Sequence, residues 1–266
     1  MGTALLFALA AARGRATPPP RDAWPALLLM GFLGVFVHQM IQAHALELTT
    51  AVNTGWLIGV TPIWSAILAA IFLREPIRGT KLAGLLIGFA GAALVVTRGR
   101  LSGDVLALPA TLGDFLILAS TVNWAVYSVV GRRTLARLGS SRATAFAMLA
   151  GWAMLIPFFL ARRGWTEYAS VSAPGWVAVL FLGIGCSGLG YFFWYFALER
   201  LETTRVAAFL YVEPLVTLAA AVALLGEPVP LTTIAGGLLV LAGVFLVQRA
   251  RPEAGTLRSP HPALEP

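Results

Sequence analysis

Charge is scarce in this 266-residue chain. Only 12% of its residues are Asp, Glu, Lys or Arg, about half the roughly 25% usual in soluble domains. There are 12 acids, and of the 19 basic residues all but Lys81 are arginine. Cysteine occurs once, at Cys186, so no intramolecular disulfide can form and cysteine usage says nothing about the redox compartment. No phosphate loop, hydrolase serine motif, metalloprotease motif or dinucleotide fingerprint stands in a usable context, which argues against nucleotide-driven work by this chain alone. Met1–Ala12 is apolar but has no basic stretch before it, so it does not read as a signal peptide. At twelve residues it is also short of the ~20 that a crossing helix needs.

Apolar residues are what the chain has in abundance. They make up 58% of it, and the mean hydropathy is +0.82. The net charge of +7 suggests no nucleic-acid partner, because the arginines sit in short clusters between apolar runs, the pattern of membrane-protein loops. Asp, Glu, Lys and Arg are absent from 23–46, 48–73, 82–97, 115–131, 143–161, 168–198 and 228–248, and 206–226 holds only Glu213. This pattern predicts eight complete helices, near 24–45, 51–73, 81–97, 113–131, 143–161, 175–197, 206–225 and 230–248. The fold class is an all-α polytopic membrane protein. The tail 249–266, rich in Pro, Arg and Glu, is expected to be disordered and cytoplasmic.

An ungapped internal repeat organises these helices. Residues 24–95 lie on 176–247 at a constant offset of 152. Identities include Trp24/Trp176, Gly31/Gly183, Ala45-Leu46-Glu47 against Ala197-Leu198-Glu199, Pro62/Pro214, Glu75-Pro76 against Glu227-Pro228, Gly84/Gly236 and Gly91/Gly243. Apolar composition alone does not align rare Trp, Pro and Glu in one register. The organisation is a first repeat at 1–97, a linker at 98–112 and a second repeat at 113–248. Helices 113–131 and 143–161 precede the second copy, and their counterparts fall before residue 1 and at Met1–Leu9. The expectation is that about 40 further residues would complete the first copy, giving ten helices as five plus five.

An odd number of helices per copy inserts the two copies in opposite directions. With the loop after Leu9 placed inside and sides alternating, 15 of the 19 basic residues fall inside and Arg98, Arg100, Arg162 and Arg163 outside. Arg74-Glu75-Pro76-Ile77-Arg78 aligns with Gly226-Glu227-Pro228-Val229-Pro230, and Lys81 with Thr233, so the outside copy has lost every basic residue. The other loop pair shows the reverse, with Leu48 and Asn53 opposite Arg200 and Arg205.

These residues resemble the drug/metabolite transporter superfamily, of the type with two EamA-like halves of five helices. The resemblance rests on the Ala-Leu pairs followed by helices with a central Pro62 or Pro214, on Leu-Arg-Glu-Pro at 73–76 and Leu-Gly-Glu-Pro at 225–228, and on the Gly-rich closing helices. It also rests on Asn123-Trp124-Ala125-Val126-Tyr127 before Arg132-Arg133, and on Tyr211-Val212-Glu213-Pro214. It covers almost the whole chain, with the start of the first half missing. It implies a permease of the bacterial inner membrane, often an exporter of amino acids or other small metabolites.

Candidate transport residues come from polar groups in apolar helices. Glu213 lies eight residues beyond Arg205, roughly 12 Å deep at about 1.5 Å per residue. A carboxyl there faces a cavity or a partner and could carry a proton or bind a substrate amine. Pro214 and Pro62 each free a carbonyl four residues earlier, at Leu210 and Ile58, as a hinge, a substrate contact or a simple kink. Tyr191, Trp194 and Tyr195 share one helix face, and Tyr191 and Trp194 fall opposite Gln39 and Gln42 in the repeat. That offers an aromatic wall and an amide wall to an amphipathic metabolite, although Trp194 and Tyr195 suit an interfacial belt better. His38 is deep enough to carry a proton. Asn123, Trp124 and Tyr127, with Ser120, form either a site or interhelical glue. Tyr211 belongs with Glu213 and Pro214. Glu75 and Glu227 read as structural, each stopping one helix and capping the next.

The reading is a secondary transporter working by alternating access. Substrate would load between the helices at 24–45, 51–73, 175–197 and 206–225. Protons are a candidate coupling ion and a homodimer a candidate assembly. No cofactor, metal or nucleic acid is expected. An intramembrane enzyme and a membrane scaffold are the alternatives; no catalytic cluster of ionisable groups is evident for the first.

Overall fold

The computed structural model describes residues 1–12, 17–49, 54, 57–77, 79–97, 111–213, 215–216, 219 and 231–250. Among them every regular element is helical. A helix satisfies its own backbone, which hydrocarbon cannot do for it. The elements are α1 (Gly2–Ala12), α2 (Trp24–Gly31), α3 (His38–Leu48), α4 (Thr61–Leu73), α5 (Gly79–Thr97), α6 (Leu112–Leu138), α7 (Ser140–Ala161), α8 (Ala173–Leu180), α9 (Tyr191–Arg200), α10 (Thr203–Ala208) and α11 (Leu231–Arg249). α2 and α3 are joined by a π-helical segment, Phe32–Val37, and α8 and α9 by another, Phe181–Gly190. Among the described residues, four runs are long and apolar enough to cross a bilayer: Arg21–Leu48, Leu112–Leu138, Ser140–Ala161 and Ala173–Arg200. The helix expected at 113–131 runs on to Leu138, so Arg132 and Arg137 stand on its last turns, where cations suit the negative end of the helix dipole. Much of the span expected at 206–225 lies outside the described residues.

The chain forms two compact units, Met1–Met40 with Val130–Leu201, and Ile41–Val129 with Glu202–Pro266. Each unit takes helices from both copies of the repeat. In the first, α7 packs on α1, α2, the Phe32–Val37 segment and α9. Glycine permits the closest approach: a Cβ on Gly31 would lie 2.5 Å from the Ala147 carbonyl oxygen and 2.7 Å from the Gly151 nitrogen. Phe146 closes the gap between α1 and α2, edge-on to Phe7 at 5.0 Å and to Trp24 at 5.7 Å. Polar contacts gather at one end. Arg137 pairs with Asp22, Arg142 Nε donates to the Thr17 carbonyl at 2.9 Å, and Ser140 N donates to Glu199 at 3.2 Å. These residues come from three of the arginine-rich loops that the charge count assigns to one side.

In the second unit α5 lies along α11. A Cβ on Gly84 would fall 2.8 Å from the Gly243 carbonyl oxygen, and one on Gly91 would fall 2.7 Å from the Gly236 carbonyl oxygen. Residues 84 and 236 are equivalent in the repeat, as are 91 and 243, so one contact is made twice, reciprocally and antiparallel. Two helices related by a two-fold axis across their length must meet in this way. Such small-residue seams replace the hydrophobic drive that lipid does not supply. Tyr211, Ala66, Leu85 and Val240 fill the core beside the seam.

Glu75 departs from its expected role. Its carboxylate accepts from Thr203 N at 2.8 Å and from Thr204 N and Thr204 Oγ1, both at 3.2 Å. It therefore caps α10, in the other copy of the repeat, rather than α5, the next helix. The cause is local: Arg74 ends α4 in the left-handed region at φ 57°, which turns the chain away from the path into α5.

Candidate functional site

The first unit holds Tyr191, Gln39, His38 and Trp194. Shifted by 152 residues, the π-helical segment Phe32–Val37 falls inside the π-helical segment Phe181–Gly190. Both copies thus widen their helix at the same place. π-helical turns recur at functional sites, because the extra residue per turn loosens the backbone hydrogen bonding. The Tyr191 hydroxyl donates to the carbonyl of Gly34, within the first of these segments, at 2.5 Å. The Gln39 side chain hydrogen-bonds the same hydroxyl, its amide N–H being the available donor. His38 is buried, while Gln39 is otherwise exposed and Trp194 half-buried. Tyr195 corrects the belt expectation. It is fully buried, its ring packed on Gly131, where a side chain would collide with it.

The second unit holds Pro62, Tyr211, Glu213, Gln42, Asn123, Trp124 and Tyr127. Pro62 is buried in the first turn of α4, the helix position that best tolerates proline. The carbonyl it was expected to free, Ile58, is occupied: Thr61 Oγ1 donates to it at 2.6 Å. With α4 beginning at Thr61, Pro62 stands at a helix start and not inside a kinked helix. Tyr211 is buried with its ring against Gly88, where a Cβ would lie 2.6 Å from the ring. Glu213 is exposed, and Pro214 lies outside the described residues. In α6, Trp124 and Tyr127 rings meet at 5.3 Å, Tyr127 is buried, and Asn123, like Gln42 on α3, is half-buried. Ser120 bonds its own helix, to the Ile117 carbonyl at 2.8 Å.

Two residues of α4 escaped the sequence reading. Trp64 Nε1 and Ser65 Oγ are buried with no hydrogen-bond partner among the described residues, and so is the Tyr211 hydroxyl. Each such atom is costly in an apolar surrounding unless a ligand or water meets it. The available signal was spacing: Ser65 follows Pro62 by three residues, on the same helix face, and is the lone hydroxyl of 62–73. Among the described residues no three His, Cys, Asp or Glu side chains converge as metal ligands do.

Comparison with known proteins decides the class. The EamA-like transporter family matches residues 1–97 and 111–249. The chain belongs to this family. It is 33% identical to an uncharacterized transporter of Archaeoglobus fulgidus over 88% of its own length and 79% of the relative's. It is 31% identical to a protein of Streptantibioticus cattleyicolor named "probable terminal-alkyne amino-acid exporter", over 90% of this chain and 79% of that one. An aromatic amino acid exporter of Ancylobacter novellus shares 28% identity over 90% of this chain and 82% of its own. A solved crystal structure at 24% identity shares the fold, with a TM-score of 0.74, 94% of this chain and 85% of the other being covered. The EamA-like chain is thus an all-α polytopic membrane transporter of small molecules, working in a lipid bilayer.

Proposed function

We propose that this EamA-like chain exports amino acids or related amphipathic metabolites by alternating access. The bilayer would be the bacterial inner membrane, with the arginine-rich loops and the C-terminus in the cytoplasm. The observation that carries the reading is the set of buried, unbonded polar atoms next to the two repeat-related prolines: Trp64 Nε1 and Ser65 Oγ after Pro62, and the Tyr211 hydroxyl before Pro214. All three can donate, which suits a substrate carboxylate. Glu213, two residues beyond Tyr211, is exposed and offers a complementary contact to an ammonium group, or a proton exchanged for it. The reciprocal α5–α11 seam supports a two-fold plan that can exchange its two ends. The two relatives named as amino-acid exporters support the substrate class.

The test is flux of a labelled amino-acid panel in proteoliposomes under an imposed pH gradient. Saturable flux that falls at least tenfold in Ser65→Ala or Tyr211→Phe supports the site. Gradient-driven flux that Glu213→Gln abolishes supports proton coupling. Saturable flux indifferent to all three substitutions rules out this set.

A further inference from the structure

Resting on the transport reading, we infer that Lys81, Glu202, Arg205 and Glu75 form a one-sided ionic lock, which keeps the arginine-rich end of the transporter shut and parts into water when that end opens. Lys81 Nζ lies 2.6 Å from Glu202 Oε2, and both side chains are buried. Arg205 Nε approaches the same oxygen at 3.3 Å. Glu75 is 1% exposed and holds the N–H groups of Thr203 and Thr204. Lys81 and Glu75 belong to the turn and helix start after α4, in the first copy. Glu202, in the α9–α10 turn, and Arg205, in α10, belong to the second. The lock therefore ties one copy of the repeat to the other through side chains 121 residues apart.

The chemistry suits a gate better than a permanent weld. Two acids and two bases balance, so the cluster carries no net charge. Burial takes water from each ion, and the mutual attraction roughly offsets that loss. Once the end opens, water solvates the separated charges again, so parting is nearly neutral, whereas parting an apolar seam is not. The closed cluster also leaves two buried atoms, Glu202 Oε1 and Arg205 Nε, with no hydrogen-bond partner among the described residues. That deficit is relieved on hydration and favours reversibility.

The device cannot be built twice. Shifted by 152 residues, Lys81 corresponds to Thr233, Glu202 to Thr50 and Arg205 to Asn53. Only Glu75 keeps an ionisable counterpart, Glu227. At the aligned positions the sequence offers no cation with which to make the pair. The sequence thus allows this four-residue lock at the Lys81 end and not at the aligned positions, and the lock biases the balance between the two access states from the Lys81 end.

The test compares the full chain carrying Cys186→Ala and Ala207→Cys with the same chain carrying Lys81→Met and Glu202→Gln as well. Ala207 is fully buried in α10, one turn past the lock. Changing both members of the pair avoids stranding a buried ion. Maleimide labelling of the new thiol is timed in detergent, where both ends meet the reagent, with size-exclusion profiles as a check on folding. Labelling at least tenfold faster in a monodisperse double variant is the expected result. As a control, Arg137→Gln with Asp22→Asn, an exposed pair, leaves the rate within twofold. Labelling unchanged in the monodisperse Lys81→Met/Glu202→Gln chain, or raised equally by the control, overturns the lock. Flux is read on the same preparations. An inert parent overturns the transport reading by itself, since labelling needs no substrate.

Discussion

Gln39 and Tyr191 occupy equivalent places in the two copies of the repeat, and they hydrogen-bond each other. Equivalent residues that touch lie on the two-fold axis that relates the copies. The bond set around them is nevertheless one-sided. Tyr191 reaches the Gly34 carbonyl, and the equivalent contact would run from Gln39 to the carbonyl of Cys186, the residue 152 positions after Gly34. A transporter built from inverted repeats exchanges the conformations of its copies as it turns over. Tyr191→Phe removes two bonds from the state described here and one from its mirror image, where Gln39 would hold the Cys186 carbonyl, a net cost to the described state of about 1 kcal/mol. Access then shifts roughly fivefold toward the opposite state, and Gln39→Leu shifts it the other way. Paired thiol-labelling rates at the two ends check this, and shifts of the same sign for both variants would sink it.

The glycine seam predicts matched losses. A Cβ on Gly91 meets the Val240 nitrogen at 2.5 Å, and one on Gly243 meets backbone atoms of Gly88. Because these two glycines are equivalent, Gly91→Ala and Gly243→Ala should lower stability by similar amounts, about 1–3 kcal/mol each. Gly79→Ala, with nothing within 4 Å of its Cβ, should leave stability unchanged or raise it. Thermal unfolding in one detergent measures all three, and a harmless Gly243→Ala would contradict the packing.

Helix positions and the repeat were readable because hydrophobicity, charge and rare residues are local signals. The matched pairs Gly84/Gly236 and Gly91/Gly243 were legible as repeat identities, but that they face each other across one seam was not. Long-range pairing was not readable. Nothing near Glu75 names Thr203, 128 residues away, and nothing near Lys81 names Glu202. Tyr195 resembled a belt residue by depth, and only the position of Gly131 shows that its ring is enclosed. The π-helical segments were invisible because π winding has no sharp composition, and Gly183, Gly185, Gly188 and Gly190 read equally well as packing glycines.

Arg74 offers a gain of stability. It holds a left-handed φ of 57°, a conformation that costs a non-glycine residue about 1–2 kcal/mol. Its counterpart in the second copy is Gly226. Arg74→Gly should raise unfolding free energy by about 1 kcal/mol while leaving Glu75 on Thr203. Melting of the variant beside the parent checks this, and a lower midpoint would mean that the arginine makes contacts outweighing the strain.

Thr61 explains what a residue before a membrane proline can do, and so what Glu213 is placed to do. Its hydroxyl closes the Ile58 carbonyl that Pro62 leaves open. Glu213 is the equivalent of Thr61, and Leu210 the equivalent of Ile58. A protonated carboxyl can donate to a carbonyl as threonine does, whereas a carboxylate can only accept. Replacing Thr61 by Val, which keeps the shape and removes the donor, should cost about 1–2 kcal/mol in either acid or neutral buffer. Glu213→Thr supplies a donor that does not titrate, so flux should persist and lose its dependence on the pH gradient, while Glu213→Val should lose flux at every pH. Initial rates across a pH series separate these outcomes. Flux in Glu213→Thr that still follows the gradient would move the proton carrier elsewhere, with buried His38 the next group to replace.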